Sequence, residues 1–161
     1  MTLRLQTLSE EATIELGRAL GAALMEAASG MTVLLLGDLG TGKTTLACGV
    51  GDAFGVTRVR SPSFTLINEY QTDGFSIVHA DLYRLAPGEA EDLGLDEYIE
   101  APCIMLVEWP ERWSPPAERD LIKICIQSGE KENERIFEIS SMGKTADLAL
   151  QKLRGDIGWK N

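Results

Sequence analysis

Basic residues are in short supply in this 161-residue chain: 15 lysines and arginines stand against 25 aspartates and glutamates, for a net charge of −10. Such a chain stays soluble but is repelled by bare phosphate backbones, which argues against gripping a nucleic acid directly; if it serves one, a partner does the holding. Cysteine is scarce as well. Cys48, Cys103 and Cys125 are odd in number, far apart and set in apolar stretches, with no C-x-x-C pair. That argues against a disulfide framework and for buried, reduced thiols, as in a cytosol. No basic-then-apolar leader opens the sequence, and no apolar run approaches the roughly 20 residues that span a bilayer. A cytoplasmic chain without membrane contact is therefore expected. His79 is the only histidine, and it reads as a core or strand-edge residue rather than an acid/base group. No internal repeat and no low-complexity segment is found.

What is present centres on Met31 to Gly51, MTVLLLGDLGTGKTTLACGVG. An apolar run, Val33 to Leu36, meets a glycine loop, and a helix-compatible segment follows from Leu46. Gly37 to Thr44 fits G-x-x-x-x-G-K-[ST], and the strand-before, helix-after context is readable. The residue types suit a polyphosphate. Glycines let the main chain turn its N–H groups inward and approach the ligand closely. The helix that begins near Lys43 aims its N-terminal amides at the same oxygens. Lys43 places an ammonium on the β/γ oxygens, and the Thr44 hydroxyl suits Mg²⁺, which prefers hard oxygen donors. The nucleotide-binding segment expected is thus Gly37, Asp38, Leu39, Gly40, Thr41, Gly42, Lys43, Thr44 and Thr45. A second GKT, Gly143-Lys144-Thr145, lacks the pattern, because Glu138 occupies the place of the first glycine.

The remaining pattern is that of one α/β domain, residues 1–155, with a short tail, 156–161; 44% hydrophobic content fills a single core at this length. Leu3 to Gln6 alternates like a strand. Ser9 caps a helix whose apolar face runs from Ala12 to Ala27. Arg58 to Tyr70 reads as a loop and then a strand, and Asp73-Gly74 turns it into a hairpin with Phe75 to Asp81. Glu89 to Ile99 reads as a helix broken near Gly94. Ile104 to Val107, ending in Glu108, suits a central parallel strand whose carboxyl end meets a ligand crevice. Trp109-Pro110 and Ser114-Pro115-Pro116 mark a surface loop. Leu121–Ile126 and Arg135–Ser140 read as strands, and Thr145–Leu153 as a last helix. The hairpin beside parallel strands implies a mixed sheet.

Hydrolysis needs a carboxylate at a strand end to hold the ion and orient the attacking group. Glu108 and Asp81 both qualify, and either can instead be a strand-end carboxylate facing water. Ser63 and Thr65 sit where a switch loop could sense a γ-phosphate, or are ordinary turn hydroxyls. Trp109 is a candidate to cover a nucleotide or anchor a partner. Arg135 is read as a solvated face or, by the likeness below, as a ligand contact.

GDLGTGKTT, SPSFTLINEY, HADLYRL, EDLGLDEY and LVEWPERW occur in this order, and from Ser9 to about Ser140 the chain resembles the TsaE family (formerly YjeE). These are small bacterial ATPases required for threonylcarbamoyladenosine modification of tRNA. The resemblance implies a P-loop NTPase fold in one domain, a mixed sheet flanked by helices, and ATP with Mg²⁺ as ligand. It implies work in a complex with the TsaB and TsaD subunits, tRNA being met only through that complex. Gly40 to Thr45 would hold phosphates, Thr44 and Glu108 the metal, and Lys43, Asp81 and Glu108 would be the catalytic set. Trp109 would lie beside the nucleotide, with Ser9 and Arg135 near its adenosine. Ser63 departs from the threonine usual in the family. A small-molecule kinase is the main alternative; it would need lid arginines, for which only Arg112 and Arg119 offer themselves. A GTP switch would need an N-K-x-D segment, and none is found. A non-catalytic nucleotide sensor in the same complex also remains open, and self-association is not legible.

Overall fold

The computed structural model describes residues 1–27, 30–62, 65–99, 102–117 and 119–158. The chain opens with β1 (Thr2–Thr7), where buried Leu5 and Thr7 alternate with exposed Arg4 and Gln6. Ser9 then caps α1 (Glu10–Ala27), its Oγ accepting the Ala12 N–H at 3.0 Å. Glu10 and Glu11 place negative charge on the first turn, where the helix dipole favours it. β2 (Met31–Leu36) is buried over almost its whole length and feeds α2 (Lys43–Ala53). β3 (Ile67–Thr72) and β4 (Phe75–Asp81) form the expected hairpin across Asp73-Gly74, with Gly74 at φ 80°, a conformation glycine adopts freely. Gly94, at φ 69°, divides Glu89 to Ile99 into a 3₁₀ turn (Glu89–Leu93) and the short α3 (Leu95–Ile99). β5 (Cys103–Glu108) is buried throughout. β6 (Leu121–Ser128), β7 (Arg135–Met142) and α4 (Lys144–Asp156) complete the chain.

Both late strands outrun the apolar pattern by two residues, because Gln127 and Ser128 pair with Ile136 and Arg135, and Ser141 and Met142 with Ile122 and Leu121. The Gly129 N–H then closes the turn on the Glu134 carbonyl at 2.8 Å. α4 begins one residue early and runs on to Asp156, and half-buried Ile157 packs against the core beyond it. The rest of the expected tail, residues 159–161, lies outside the described residues.

Among the described residues, seven strands make one sheet in the order β1-β7-β6-β2-β5-β4-β3. The middle four, β6, β2, β5 and β4, are parallel; β7 on one side and β3 on the other run against them, and β1 pairs antiparallel with β7 at the edge. This is the mixed sheet anticipated, and the parallel register brings the carboxyl ends of β2, β5 and β4 to one edge.

The two faces are covered unequally. α1, α2 and α4 lie on one, packing Leu20, Leu24, Leu46, Val50 and Leu150 against Val33, Leu35, Ile104, Leu106, Ile124 and Phe137. On the other, Val78, Ala80, Met105 and Val107 meet Leu82, Leu85 and Trp113 from loops, Ala90 from the 3₁₀ turn and Leu95 from α3. α2 is drawn close to α1 by glycines. A Cβ on Gly49 would lie 2.2 Å from the Ile14 carbonyl oxygen, and one on Gly17 2.4 Å from that of Leu46. The helix that begins at the phosphate loop is therefore seated backbone to backbone on α1.

Candidate active site

The loop Gly37–Gly42 leaves the carboxyl end of β2, between β5 and β6, where open parallel sheets bind their ligands. Its glycines do separate jobs. Gly37, at φ 152°, has no room for a side chain: a Cβ would sit 2.6 Å from the Ile126 carbonyl oxygen and 2.7 Å from Thr41 Oγ1. Gly42, at φ 100°, turns the chain into α2 and offers no side chain to cap it. Buried Thr41 braces the loop from within, its hydroxyl donating to the Asp38 carbonyl at 2.8 Å.

Lys43 is 6% exposed. Its ammonium donates to the carbonyls of Gly37 (2.6 Å) and Asp38 (2.8 Å) and lies 4.7 Å from the centre of the Trp109 ring. Burial pulls its pKa below the usual lysine value, against the opposing pull of Glu108, Asp81, Asp38 and Glu111. Thr44, the next residue, donates its hydroxyl to Glu108 Oε1 at 2.9 Å. Glu108 ends β5 beside β2, as its position after the apolar run suggested, and is almost wholly buried. The same Oε1 lies 3.2 Å from His79 Nε2. Burial alone would raise the Glu108 pKa; the hydrogen bonds from His79 and Thr44 and the charge of Lys43 more than offset it, and the carboxyl is held below its usual range.

Asp81, at the end of β4, stands in register with Glu108 on the neighbouring parallel strand. Its carboxylate accepts from Ser61 Oγ (3.2 Å) and from the Tyr83 N–H (3.0 Å). Burial, with the nearby Glu108, raises its pKa. Two adjacent carboxyls are thus pushed in opposite directions.

These side chains converge on a cavity of about 350 Å³ lined also by Ser9, Leu39, Gly40, Thr45, Trp109 and Arg135. Ser9 therefore both caps α1 and faces the cavity. Arg135 reaches over the loop, one guanidinium nitrogen donating to the Gly40 carbonyl at 3.3 Å and another to the carbonyls of Glu132 and Glu134. Gly37, Asp38 and Thr41 form the floor of the loop and not the cavity wall. Trp109 adopts φ 57°, ψ 52°, a left-handed conformation rare for a bulky residue, and its ring packs 4.8 Å from that of Tyr83.

Other candidates lie elsewhere. Thr65 is exposed and donates to Asn68 Oδ1 at 2.9 Å; Ser63 lies outside the described residues. Arg112 donates to the Leu85 carbonyl, and Arg119 donates to Thr32 and the Ile99 carbonyl. Neither lines the cavity. The residues that sequence reasoning missed are Ser61, which steadies Asp81, and His79, which is buried as expected but touches Glu108. The i, i+2 spacing of His79 and Asp81 puts both on one strand face, and that was the available signal.

Compared with known proteins, residues 7–137 match the model of a family described as "Threonylcarbamoyl adenosine biosynthesis protein TsaE". A tRNA threonylcarbamoyladenosine biosynthesis protein TsaE of Nostoc is 40% identical over 89% of both chains. One from Bacillus subtilis is 37% identical over 77% of this chain and 78% of its own. The crystal structure of Bacillus subtilis YdiB superposes with a TM-score of 0.77 at 31% identity, covering 97% of each chain. With the phosphate loop, the strand-end carboxylates and the mixed sheet all in place, the chain belongs to the TsaE family of tRNA threonylcarbamoyladenosine biosynthesis.

Proposed function

We propose that this chain is an Mg²⁺-dependent ATPase subunit that acts in the cytoplasm with TsaB and TsaD, and that meets tRNA only through them. The observation that carries the reading is the convergence of Lys43, Thr44, Asp81 and Glu108, from two strand ends and a helix start, on one cavity beside a glycine loop.

The residues divide the work. The amides from Gly40 to Thr45 receive phosphate oxygens at the start of α2. Lys43 is held by two neutral carbonyls, and a triphosphate replaces these with charged acceptors that complement the ammonium. Thr44 and Glu108 fit Mg²⁺, because a hydroxyl and an ionised carboxylate already lie 2.9 Å apart and both are hard oxygen donors. Among the described residues no group of three or more His, Cys, Asp or Glu side chains could hold a metal alone, which suits an ion that shares its shell with phosphate and water. When bound, the ion neutralises charge on the β- and γ-phosphates. Asp81, fixed by Ser61 and the Tyr83 amide, is placed to orient the attacking water. Trp109 and Arg135 close the two sides of the cavity. Commitment of Arg112 and Arg119 to main-chain carbonyls weighs against a kinase lid, and among the described residues no helix is long and apolar enough to cross a membrane.

The test is reconstitution with TsaB, TsaD and tRNA, comparing ATP with a non-hydrolysable analogue. Repeated rounds of modification are expected with ATP alone. Repeated rounds with the analogue would make this chain a sensor and not an ATPase, and ADP release that depends on a small-molecule acceptor would make it a kinase.

A further inference from the structure

His79 has a place in this site that its burial conceals. It is fully buried on β4 and does not line the cavity, so it touches no ligand. Its alternation puts it on the same sheet face as Asp81 and Glu108, the face that carries α2. Nε2 lies 3.2 Å from Glu108 Oε1. Nδ1 is the one buried side-chain nitrogen or oxygen without a hydrogen-bond partner among the described residues.

That asymmetry fixes the ring. Glu108 is a carboxylate that only accepts, so Nε2 must carry the proton that bonds to it. A proton on Nδ1 would be a buried donor with no acceptor, which costs more than a bare lone pair. Glu108 is thus gripped from two sides through one oxygen, by Thr44 on the cavity side and by His79 on the core side. A glutamate has three rotatable bonds, and a strand-end carboxylate held only by Thr44 would keep much of that freedom. The fully buried imidazole removes it.

We infer that His79 is a positioning residue that presets Glu108 for a divalent cation, through the Thr44–Glu108–His79 chain of hydrogen bonds. This rests on the Mg²⁺-nucleotide reading above. Partners of this kind typically change metal affinity 10- to 100-fold when removed.

The experiment titrates ATP by calorimetry into the full chain, in EDTA and at graded Mg²⁺, for wild type, His79→Leu and His79→Gln. Leucine fills the space without a donor; glutamine restores an N–H near the position of Nε2. Nucleotide affinity in EDTA is expected to be equal in all three. The Mg²⁺ concentration that gives half of the gain in affinity should rise about tenfold in His79→Leu and return most of the way in His79→Gln. Nitrogen-15 spectra of the ligand-free wild type should show the Nε2–H tautomer. His79→Met repeats the comparison should the leucine variant fail to fold. An unchanged Mg²⁺ requirement in His79→Leu, equal losses in the leucine and glutamine variants, or an Nδ1–H tautomer overturns the inference while leaving the proposed function standing. A wild type whose ATP affinity ignores Mg²⁺ overturns both.

Discussion

The same tripeptide opens two helices in this molecule, Gly42-Lys43-Thr44 at α2 and Gly143-Lys144-Thr145 at α4, and only one of the two has its first-turn amides taken by a side chain. At α4 the first-turn amides of Thr145 and Ala146 are already taken by Asp120 Oδ2, at 2.6 and 3.2 Å. At α2 a side chain does not cap the N-terminus, and the loop before it is curled by Gly37, Gly40 and Gly42 at positive φ. A helix N-terminus carries positive partial charge in either case. What makes a site of it is whether the protein spends those amides on its own carboxylate or leaves them for a ligand.

The largest test of that contrast is a pair of lysine truncations. Lys43→Ala should lower ATP hydrolysis by the reconstituted complex by about a hundredfold, the size of effect seen when one oxyanion-holding donor is lost. Lys144→Ala should leave it unchanged, read as phosphate release. A second pair breaks the loop and the cap. Gly37→Ala forces a Cβ against the Ile126 carbonyl oxygen, a backbone group that cannot move aside. It should cost about 1–3 kcal/mol of stability and weaken ATP binding, as chemical denaturation and calorimetry would report. Asp120→Ala should cost about 1 kcal/mol, as loss of a helix cap does, and lower Tm by about 2–4 °C with no change in ATP affinity. Should it instead create a second ATP site, the uncapped terminus alone would suffice and the loop would be irrelevant.

The smallest effect concerns acid. Asp147, in the first turn of α4, accepts from the Ser141 hydroxyl, which together with the N-terminal ammonium lowers its pKa. A depressed carboxylate contributes stability above its unfolded pKa of about 3.9 and loses it as the pH falls through the folded value. Asp147→Asn should therefore lower neutral Tm slightly and flatten its fall below about pH 4, so that the variant and wild-type curves converge in acid. A variant curve that superposes on that of the wild type at every pH would remove Asp147 from the account.

How far the residues themselves disclosed this arrangement depends on whether the signal is local. The phosphate loop, the hairpin at Asp73-Gly74 and the strand ending in Glu108 were legible, because periodicity and turn chemistry act over neighbouring residues. The glycine seat between α1 and α2 was not: Gly17 and Gly49 matter only because two distant helices touch there. His79 and Ser61 were passed over for the same reason, since their importance lies in contacts with Glu108 and Asp81, 29 and 20 residues away. Asp120 has no local mark either. Its acceptor role exists only because the sheet carries it to the start of α4, 25 residues on.

The central claim is that one helix start, and not the other, binds a triphosphate. Calorimetric titration of Mg-ATP into the wild type, Lys43→Ala and Lys144→Ala chains tests it most directly. A single site per chain is predicted in the wild type and in Lys144→Ala, and no heat of binding in Lys43→Ala. No heat in the wild type, or binding that survives in Lys43→Ala and vanishes in Lys144→Ala, would contradict it.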